Sequence, residues 1–176
     1  MTTPITTNRS TLDQRLAFLA RRDQTPLEIN AAGEARGFVQ LALQEIEREV
    51  ALLAAEAQQT STDFWIAVRE GRAELPKDQR TYIGTRVRLV NGSLSIEWYR
   101  NAVSINSTGG VKNVISRRIK KGTSYTYPKT AFEKEPQWVR EVIDAAEKRY
   151  ACIRERAAIL TQIKRELRKY EKLIED

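Results

Sequence analysis

The chain has 176 residues, of which 30% are charged and 41% hydrophobic, and it carries a formal net charge of +7. This length fits one domain of ordinary size, and the composition is typical of a soluble protein built largely from long charged helices. No apolar run approaches the roughly 18 residues of a membrane-spanning helix. The single cysteine excludes an intrachain disulfide.

The first 22 residues are predicted to form a tail and one short helix. Residues 1–9 are expected to be disordered, and because they lack the basic and apolar regions of a signal peptide, we expect a cytoplasmic protein. Ser10 is a suitable N-cap, and the acidic Asp13 follows it three residues later. These signals predict a helix over residues 10–22.

A second predicted helix covers residues 26–59. Thr25 and Pro26 are a favourable N-cap and first helical residue, and apolar side chains recur every three or four residues beyond the first turns. The Thr-Ser-Thr run at residues 60–62 breaks this pattern. We therefore expect the helix to end there and a separate helical piece to follow over residues 63–70.

Two predicted strands, over residues 82–90 and 93–105, flank the dipeptide Asn91-Gly92. These residue types readily adopt the positive φ angles of a type I′ turn, which predicts a two-residue β-hairpin. The turn fixes a register that puts apolar side chains on one face and Arg and Tyr on the other. The predicted pairs are Val90 with Ser93, Leu89 with Leu94, Val87 with Ile96, Thr85 with Trp98, Arg88 with Ser95, Arg86 with Glu97 and Gly84 with Tyr99.

A third strand is predicted over residues 111–121, joined to the second by the loop at residues 107–110. Long hairpins often carry a β-bulge, so an irregular register is expected in this pair. A four-residue turn predicts the neighbours Ile115 and Ala102, Ile119 and Trp98, Arg118 and Tyr99, and Lys120 and Glu97.

The last predicted element is a helix over residues 136–174, whose apolar seam has heptad spacing with one three-residue stammer near Leu160. The 26–59 helix is its expected antiparallel partner. Because that helix is shorter, part of the long helix is left to pair with a second protomer as a homodimer. Together the elements predict an α+β fold in one domain over residues 10–176: a three-stranded antiparallel β-meander packed on an antiparallel pair of long helices, plus the short N-terminal helix.

No catalytic, metal or cofactor site is predicted. The chain contains no histidine, which excludes His-dependent triads and metal sites that need imidazole. Cys152 lies mid-helix beside the apolar seam, where a small packing residue is a simpler interpretation than a nucleophile. Gly109-Gly110 lacks the Lys-Ser/Thr of a phosphate-binding loop. We therefore expect no cofactor and no enzymatic activity.

Positive charge is concentrated in the predicted sheet. Residues 77–121 contain ten basic and two acidic residues, whereas residues 1–76 carry a net charge of −3 and residues 122–176 a net charge of +2. Basic charge on one element is typical of a protein that binds a polyanion, most often nucleic acid. The interleaved tyrosines are suited to stacking on bases or bonding to phosphate.

The candidate DNA-binding residues follow from this charge pattern. The basic candidates, for phosphates or guanine edges, are Arg86, Arg88, Arg117, Arg118, Lys120 and Lys121, and the aromatic candidates are Tyr99 and Tyr125. A two-stranded ribbon fits the major groove of duplex DNA, and an aromatic sheet face equally suits single strands, so the pattern leaves both open. Basic side chains that only keep an exposed sheet soluble are the simpler alternative.

Several of these residues also match a known pattern. Its parts are Arg86-Val87-Arg88, residues 94–100, Ile119-Lys120-Lys121-Gly122, residues 125–128, Phe132, Trp138 and a long C-terminal helix. From about Phe64 to the C-terminus, the chain resembles the MobI-type auxiliary mobilisation proteins of bacterial integrative conjugative elements and related plasmids. The resemblance does not extend to the first 60 residues.

This resemblance implies a cytoplasmic accessory factor that recognises the origin of transfer and helps a separate relaxase to start conjugation. The expected partners are then DNA of the transfer-origin region, as duplex or single strand, and a relaxase or other transfer-initiation protein, with no membrane. The absence of histidine fits such a factor better than a relaxase with a His-clustered metal site. The alternative is a protein-interaction adaptor that uses its long helix, with the basic sheet docked on an acidic protein surface.

Overall fold

The computed structural model describes residues 31–76, 80–105 and 111–175. Helix α1 (Ala31–Glu74) precedes strands β1 (Ile83–Val90), β2 (Ser93–Ile105) and β3 (Val111–Arg118), and a short 3-10 turn at Lys129–Phe132 leads into helix α2 (Gln137–Glu175). The sheet has the order β1-β2-β3, with both pairs antiparallel. The predicted α+β fold is thereby confirmed, whereas the predicted tail and the helix over residues 10–22 lie outside the described residues.

Helix α1 does not break at the Thr-Ser-Thr run, so the prediction of two pieces over residues 26–59 and 63–70 is wrong. The hydroxyls of Thr60 and Thr62 bond to the carbonyl oxygens of Glu56 and Gln58, each at 3.0 Å. Bonds of this kind satisfy the hydroxyl within the helix and let these residue types continue it. Ser61 is buried against α2, where it shares a hydrogen bond with Tyr150.

The first hairpin has the predicted register throughout, from Val90 opposite Ser93 to Gly84 opposite Tyr99. Asn91 and Gly92 have φ angles of 50° and 73°, which a type I′ turn requires. In the second hairpin Tyr99 faces Arg118 as predicted.

The expected irregularity in the second hairpin is also present, as a shift between Ser104 and Ile105. Strand β3 ends at Arg118, three residues before the predicted end, although Ile119 still donates a backbone hydrogen bond to Trp98 at 2.9 Å. The chain then turns at Gly122, whose φ is 80°. Lys120 therefore lies beyond the strand and is not paired with Glu97.

The core lies between the inner face of the sheet and the two helices. Trp98 is fully buried at its centre and makes edge-to-face contacts with Phe64, Phe132 and Tyr150 at centroid distances of 5.0, 5.6 and 5.7 Å. Such aromatic pairs add about 0.5–1.5 kcal/mol each beyond the area that they bury. This cluster fixes the sheet on the helices and leaves its other face outward.

The two helices run antiparallel, and salt bridges such as Arg149 with Asp63 join them. The apolar seam of α2 is buried as far as Ala157, but Ile163 and Tyr170 are 43% and 46% exposed. A short partner helix is not the reason, because α1 has 44 residues and α2 has 39. A three-residue step falls about 60° short of a full helical turn, and in a heptad a four-residue step follows and offsets most of it. At Leu160 two three-residue steps follow each other, so the later part of the seam is rotated away from α1.

Candidate nucleic-acid interface

The outer face of the sheet, opposite the helices, carries the arginines and the tyrosine that the sequence placed there. Alternation along β1 puts Arg86 and Arg88 on this face, and the register adds Tyr99 from β2 and Arg118 from β3. All three arginines are exposed, while Tyr99 is half-buried. We call these four residues the Arg/Tyr face.

Glu97 forms ion pairs with two of the arginines of this face. Its Oε2 accepts a hydrogen bond from Arg88 Nη2 at 3.0 Å, and its Oε1 lies 3.4 Å from Arg118 Nη1 and 3.1 Å from the Ser95 hydroxyl. Glu97 is the only acidic residue in the three strands. One carboxylate therefore holds arginines from β1 and β3 on either side of β2, and both cations keep exposed surface for a ligand.

Arg86 is held by an aromatic ring instead of a carboxylate. Its guanidinium carbon lies 5.0 Å from the centroid of the Tyr99 ring, within the range of a cation–π interaction. The ring itself lies over Gly84, where an added Cβ would come within 2.5 Å of the Tyr99 Cζ atom. Gly84 thus allows Tyr99 to lie flat on the sheet and support Arg86 from below.

Four of the eight predicted DNA-binding residues are not part of the Arg/Tyr face. Arg117 is exposed but belongs to the opposite face of β3, because it alternates with Arg118 and pairs with Arg100. Lys120 and Lys121 follow the strand. Tyr125 is 42% exposed in the loop that leads to α2, and its carbonyl oxygen accepts a hydrogen bond from Arg154.

Lys121 is the most constrained of these four residues. Its Nζ donates a hydrogen bond to the Ser124 carbonyl oxygen, which folds the side chain back on its own loop. Burial, and then the charge of Arg154, lower the pKa of Lys121 below its ordinary value. These contacts assign Lys121 mainly to the loop.

A second ion pair lies on the inner side of the sheet, between Glu147 and Arg154 of α2. The two side chains form bonds of 2.8 and 3.1 Å and are only 7% and 8% exposed. Glu147 also accepts bonds from Trp98 Nε1 at 2.6 Å and from the Tyr127 backbone at 2.8 Å. This pair joins α2 to β2 and to the loop that follows β3.

Tyr82 extends the Arg/Tyr face and was not among the predicted site residues. It precedes β1, lies two residues before Gly84, and is 55% exposed. Its carbonyl oxygen accepts the backbone N–H of Asn101 at 2.9 Å, so the ladder continues to this position. The even spacing of residues 82, 84, 86 and 88 is the sequence signal from which its place on this face could have been predicted.

Among residues 31–76, 80–105 and 111–175, no group of three His, Cys, Asp or Glu side chains is placed to hold a metal ion. Within the same residues, neither helix has a stretch apolar enough to cross a membrane.

The chain was also compared with known proteins. A family model described as MobI protein matches residues 53–168, which include the end of α1, the whole sheet and most of α2. The chain belongs to the MobI family. This membership confirms the resemblance found in the sequence and identifies an accessory protein of mobilisation. No curated protein and no solved structure matches the chain.

Proposed function

We propose that the protein is a non-catalytic DNA-binding factor of conjugative transfer. It recognises the origin of transfer and assists a separate relaxase, and the Arg/Tyr face is the surface that meets DNA. The observation that carries this proposal is the placement of Arg86, Arg88 and Arg118 on one outward sheet face whose only acid is Glu97.

The arrangement suits a polyanion for three reasons. Arginine forms two parallel hydrogen bonds to a phosphate or to the O6 and N7 edge of guanine, so a row of arginines serves both backbone and base contacts. Arg88 and Arg118 share one carboxylate, so each keeps donors that are not satisfied by it. The two-stranded part of the sheet has the width of a ribbon that enters the major groove.

The other four predicted residues keep a supporting role in this proposal. Arg117 and Lys120 are exposed at the open end of β3, where they reach phosphates beside the main contact. The ring of Tyr125 is exposed on the adjoining loop and is available to stack on an unpaired base. Lys121 contributes charge from within that loop.

Fluorescence anisotropy with labelled DNA of the transfer-origin region tests the proposal, using duplex and single-stranded probes and a scrambled duplex. Replacing Arg86 and Arg118 together with Ala is expected to weaken binding at least tenfold and to leave the far-UV circular dichroism unchanged. The matched control replaces Arg140 and Lys148, which are exposed on α2, and should bind like the wild type. Unaltered binding by the Arg86/Arg118 variant would overturn the assignment.

A second candidate function, a protein-interaction adaptor, is favoured by one observation. An apolar groove of about 570 Å³ lies between the two helices, lined by exposed side chains that include Phe38, Ile159, Ile163 and Tyr170. In this proposal the groove receives a relaxase, another transfer-initiation protein or a second copy of the chain. Partner capture that survives nuclease treatment and is lost in Ile163→Glu would support it, whereas salt-sensitive binding to arbitrary DNA would count against it.

A further inference from the structure

A second basic surface, distinct from the Arg/Tyr face, lies at the tip of the first hairpin. There the Asn91-Gly92 turn overhangs the two helices and encloses a groove of about 390 Å³. The turn side of the groove is polar, with Asn91 and Ser93, and its floor is formed by apolar residues such as Ile46 and Leu160. The remaining wall comes from α2. We call this space the hairpin groove.

Five basic residues of α2 line the hairpin groove: Lys164, Arg165, Arg168, Lys169 and Lys172. They form a stripe along one side of the helix, because residues three, four and eight apart share a face. At 1.5 Å per residue the stripe is about 12 Å long. Among the described residues of the lining only Glu47 is acidic, so this lining carries a strong excess of positive charge.

Two of these cations already have partners. Lys164 bonds to Glu47 across the helix pair at 2.8 Å, and Lys169 bonds to Glu166 on its own helix at 2.9 Å. The pKa of Glu47 is lowered chiefly by the Lys164 hydrogen bond and, to a smaller degree, by the charge of Arg168. The single acid of the groove is therefore already neutralised by Lys164.

Three cations remain without an ion pair among the described residues, namely Arg165, Arg168 and Lys172, and all three are exposed. Basic residues near a helix C-terminus also complement the helix dipole, but that effect falls off within the last turn. Arg165 and Arg168 precede the end of α2 at Glu175 by ten and seven residues. The helix dipole therefore does not account for them.

The hairpin groove adjoins the Arg/Tyr face. Arg88 lies two residues from Val90, the last residue before the turn, a distance of about 7 Å along a strand. A single ligand that lies along the hairpin and extends beyond its turn would contact Arg88 and then the basic stripe of α2. A stripe of about 12 Å spans three to four base-pair steps along the duplex axis, at 3.4 Å of rise per step.

We propose that the hairpin groove binds a second stretch of the DNA backbone, with Arg165, Arg168 and Lys172 on its phosphates. This inference rests on the proposed function and divides it between two surfaces. The Arg/Tyr face, which lies on a rigid sheet, contacts bases and supplies sequence preference. The groove contacts only phosphodiesters and supplies affinity that does not depend on sequence.

The test replaces Arg165, Arg168 and Lys172 together with Gln, and the charge-matched control replaces Lys129, Arg140 and Lys148 with Gln at the far end of α2 and the loop before it. Both variants lower the net charge by three. Anisotropy is measured on a labelled transfer-origin duplex and on a scrambled duplex of equal length, from low to moderate salt.

The groove variant should bind both duplexes more weakly by the same factor. Its slope in a plot of log affinity against log salt should be less negative than that of the control by about 2 to 3. The ratio of affinities for the two duplexes should stay at the wild-type value, whereas the Arg86/Arg118 variant should reduce that ratio. A groove variant with the slope of the control would overturn this inference while leaving the proposed function intact. A wild-type protein that binds neither duplex would overturn both.

Discussion

A glutamate held by arginine lies at each face of the sheet, Glu97 of β2 on the outer face and Glu147 of α2 against the inner face, and the two sites differ in exposure. On the inner side, the side chains of Glu147 and Arg154 are buried, and Glu147 accepts hydrogen bonds from Trp98 and from the loop after β3. On the outer side, the side chain of Glu97 is 11% exposed, but its partners Arg88 and Arg118 are 47% and 66% exposed.

This difference separates charges that the fold requires from charges that are accessible to a ligand. A buried ion pair must be complete, because a single remaining charge has no water to solvate it. Exposed arginines contribute little to stability and can exchange one anionic partner for another. The loss of either member of the inner pair should therefore destabilise the fold, whereas the outer arginines remain accessible for the proposed contact with DNA.

The largest expected effect comes from removing one member of the inner pair. Arg154→Leu leaves Glu147 buried and uncompensated, and should reduce the free energy of unfolding by about 3–5 kcal/mol in urea denaturation. The matched outer variant, Arg118→Leu, should cost less than about 1 kcal/mol because its arginine is mostly solvated. Equal losses in the two variants would contradict the division between the faces.

A smaller effect is expected at Tyr150, which lies in the core between Thr85 and Ser61. Its Oη is 3.2 Å from the Thr85 hydroxyl, so Tyr150→Phe should cost about 1 kcal/mol at neutral pH. Burial raises the pKa of Tyr150 above its ordinary value near 10.

The raised pKa also predicts a pH dependence. The unfolded chain loses the phenol proton near pH 10 while the folded chain keeps it, so this stabilisation is complete below about pH 10 and is lost as the pH rises further. Denaturation at pH 8 and pH 10.5 should show a smaller alkaline loss in Tyr150→Phe than in the wild type. The same loss in both proteins would exclude Tyr150 as its source.

The smallest effect is expected at Glu97, and it should raise DNA affinity. Glu97→Gln keeps the shape of the side chain and removes the only negative charge of the outer face, so binding should tighten about threefold and become more sensitive to salt. Anisotropy at two salt concentrations checks this, with Glu141→Gln, at an exposed position near the start of α2, as a control. Weaker binding by Glu97→Gln would mean that the carboxylate positions the arginines more than it repels phosphate.

Local sequence signals predicted the sheet well because each signal depends only on residues that are close together in the chain. Asn91-Gly92 specified the turn, and the alternation of Arg86 and Arg88 with apolar residues specified the face. The continuity of α1 could not be predicted in this way. Thr60 and Ser61 of its Thr-Ser-Thr run are buried, and Ser61 contacts Tyr150, which lies in another element.

The candidate site was predicted only where strand alternation applies. Beyond Arg118 the chain leaves the ladder, and Tyr125 is held through its carbonyl oxygen by Arg154 of α2, far along the chain. The hairpin groove was missed for a similar reason. Its basic residues belong to the segment 122–176, whose net charge is only +2. They come to lie beside the Asn91-Gly92 turn when the chain folds, which no local pattern indicates.

The most direct test of the central claim is the salt dependence of wild-type binding to a transfer-origin duplex. If the basic surfaces neutralise about six phosphates, the plot of log affinity against log salt should have a slope near −5, and the transfer-origin duplex should bind more tightly than a scrambled one. A slope near zero, or no binding at moderate salt, would contradict DNA binding and leave the adaptor function as the better account.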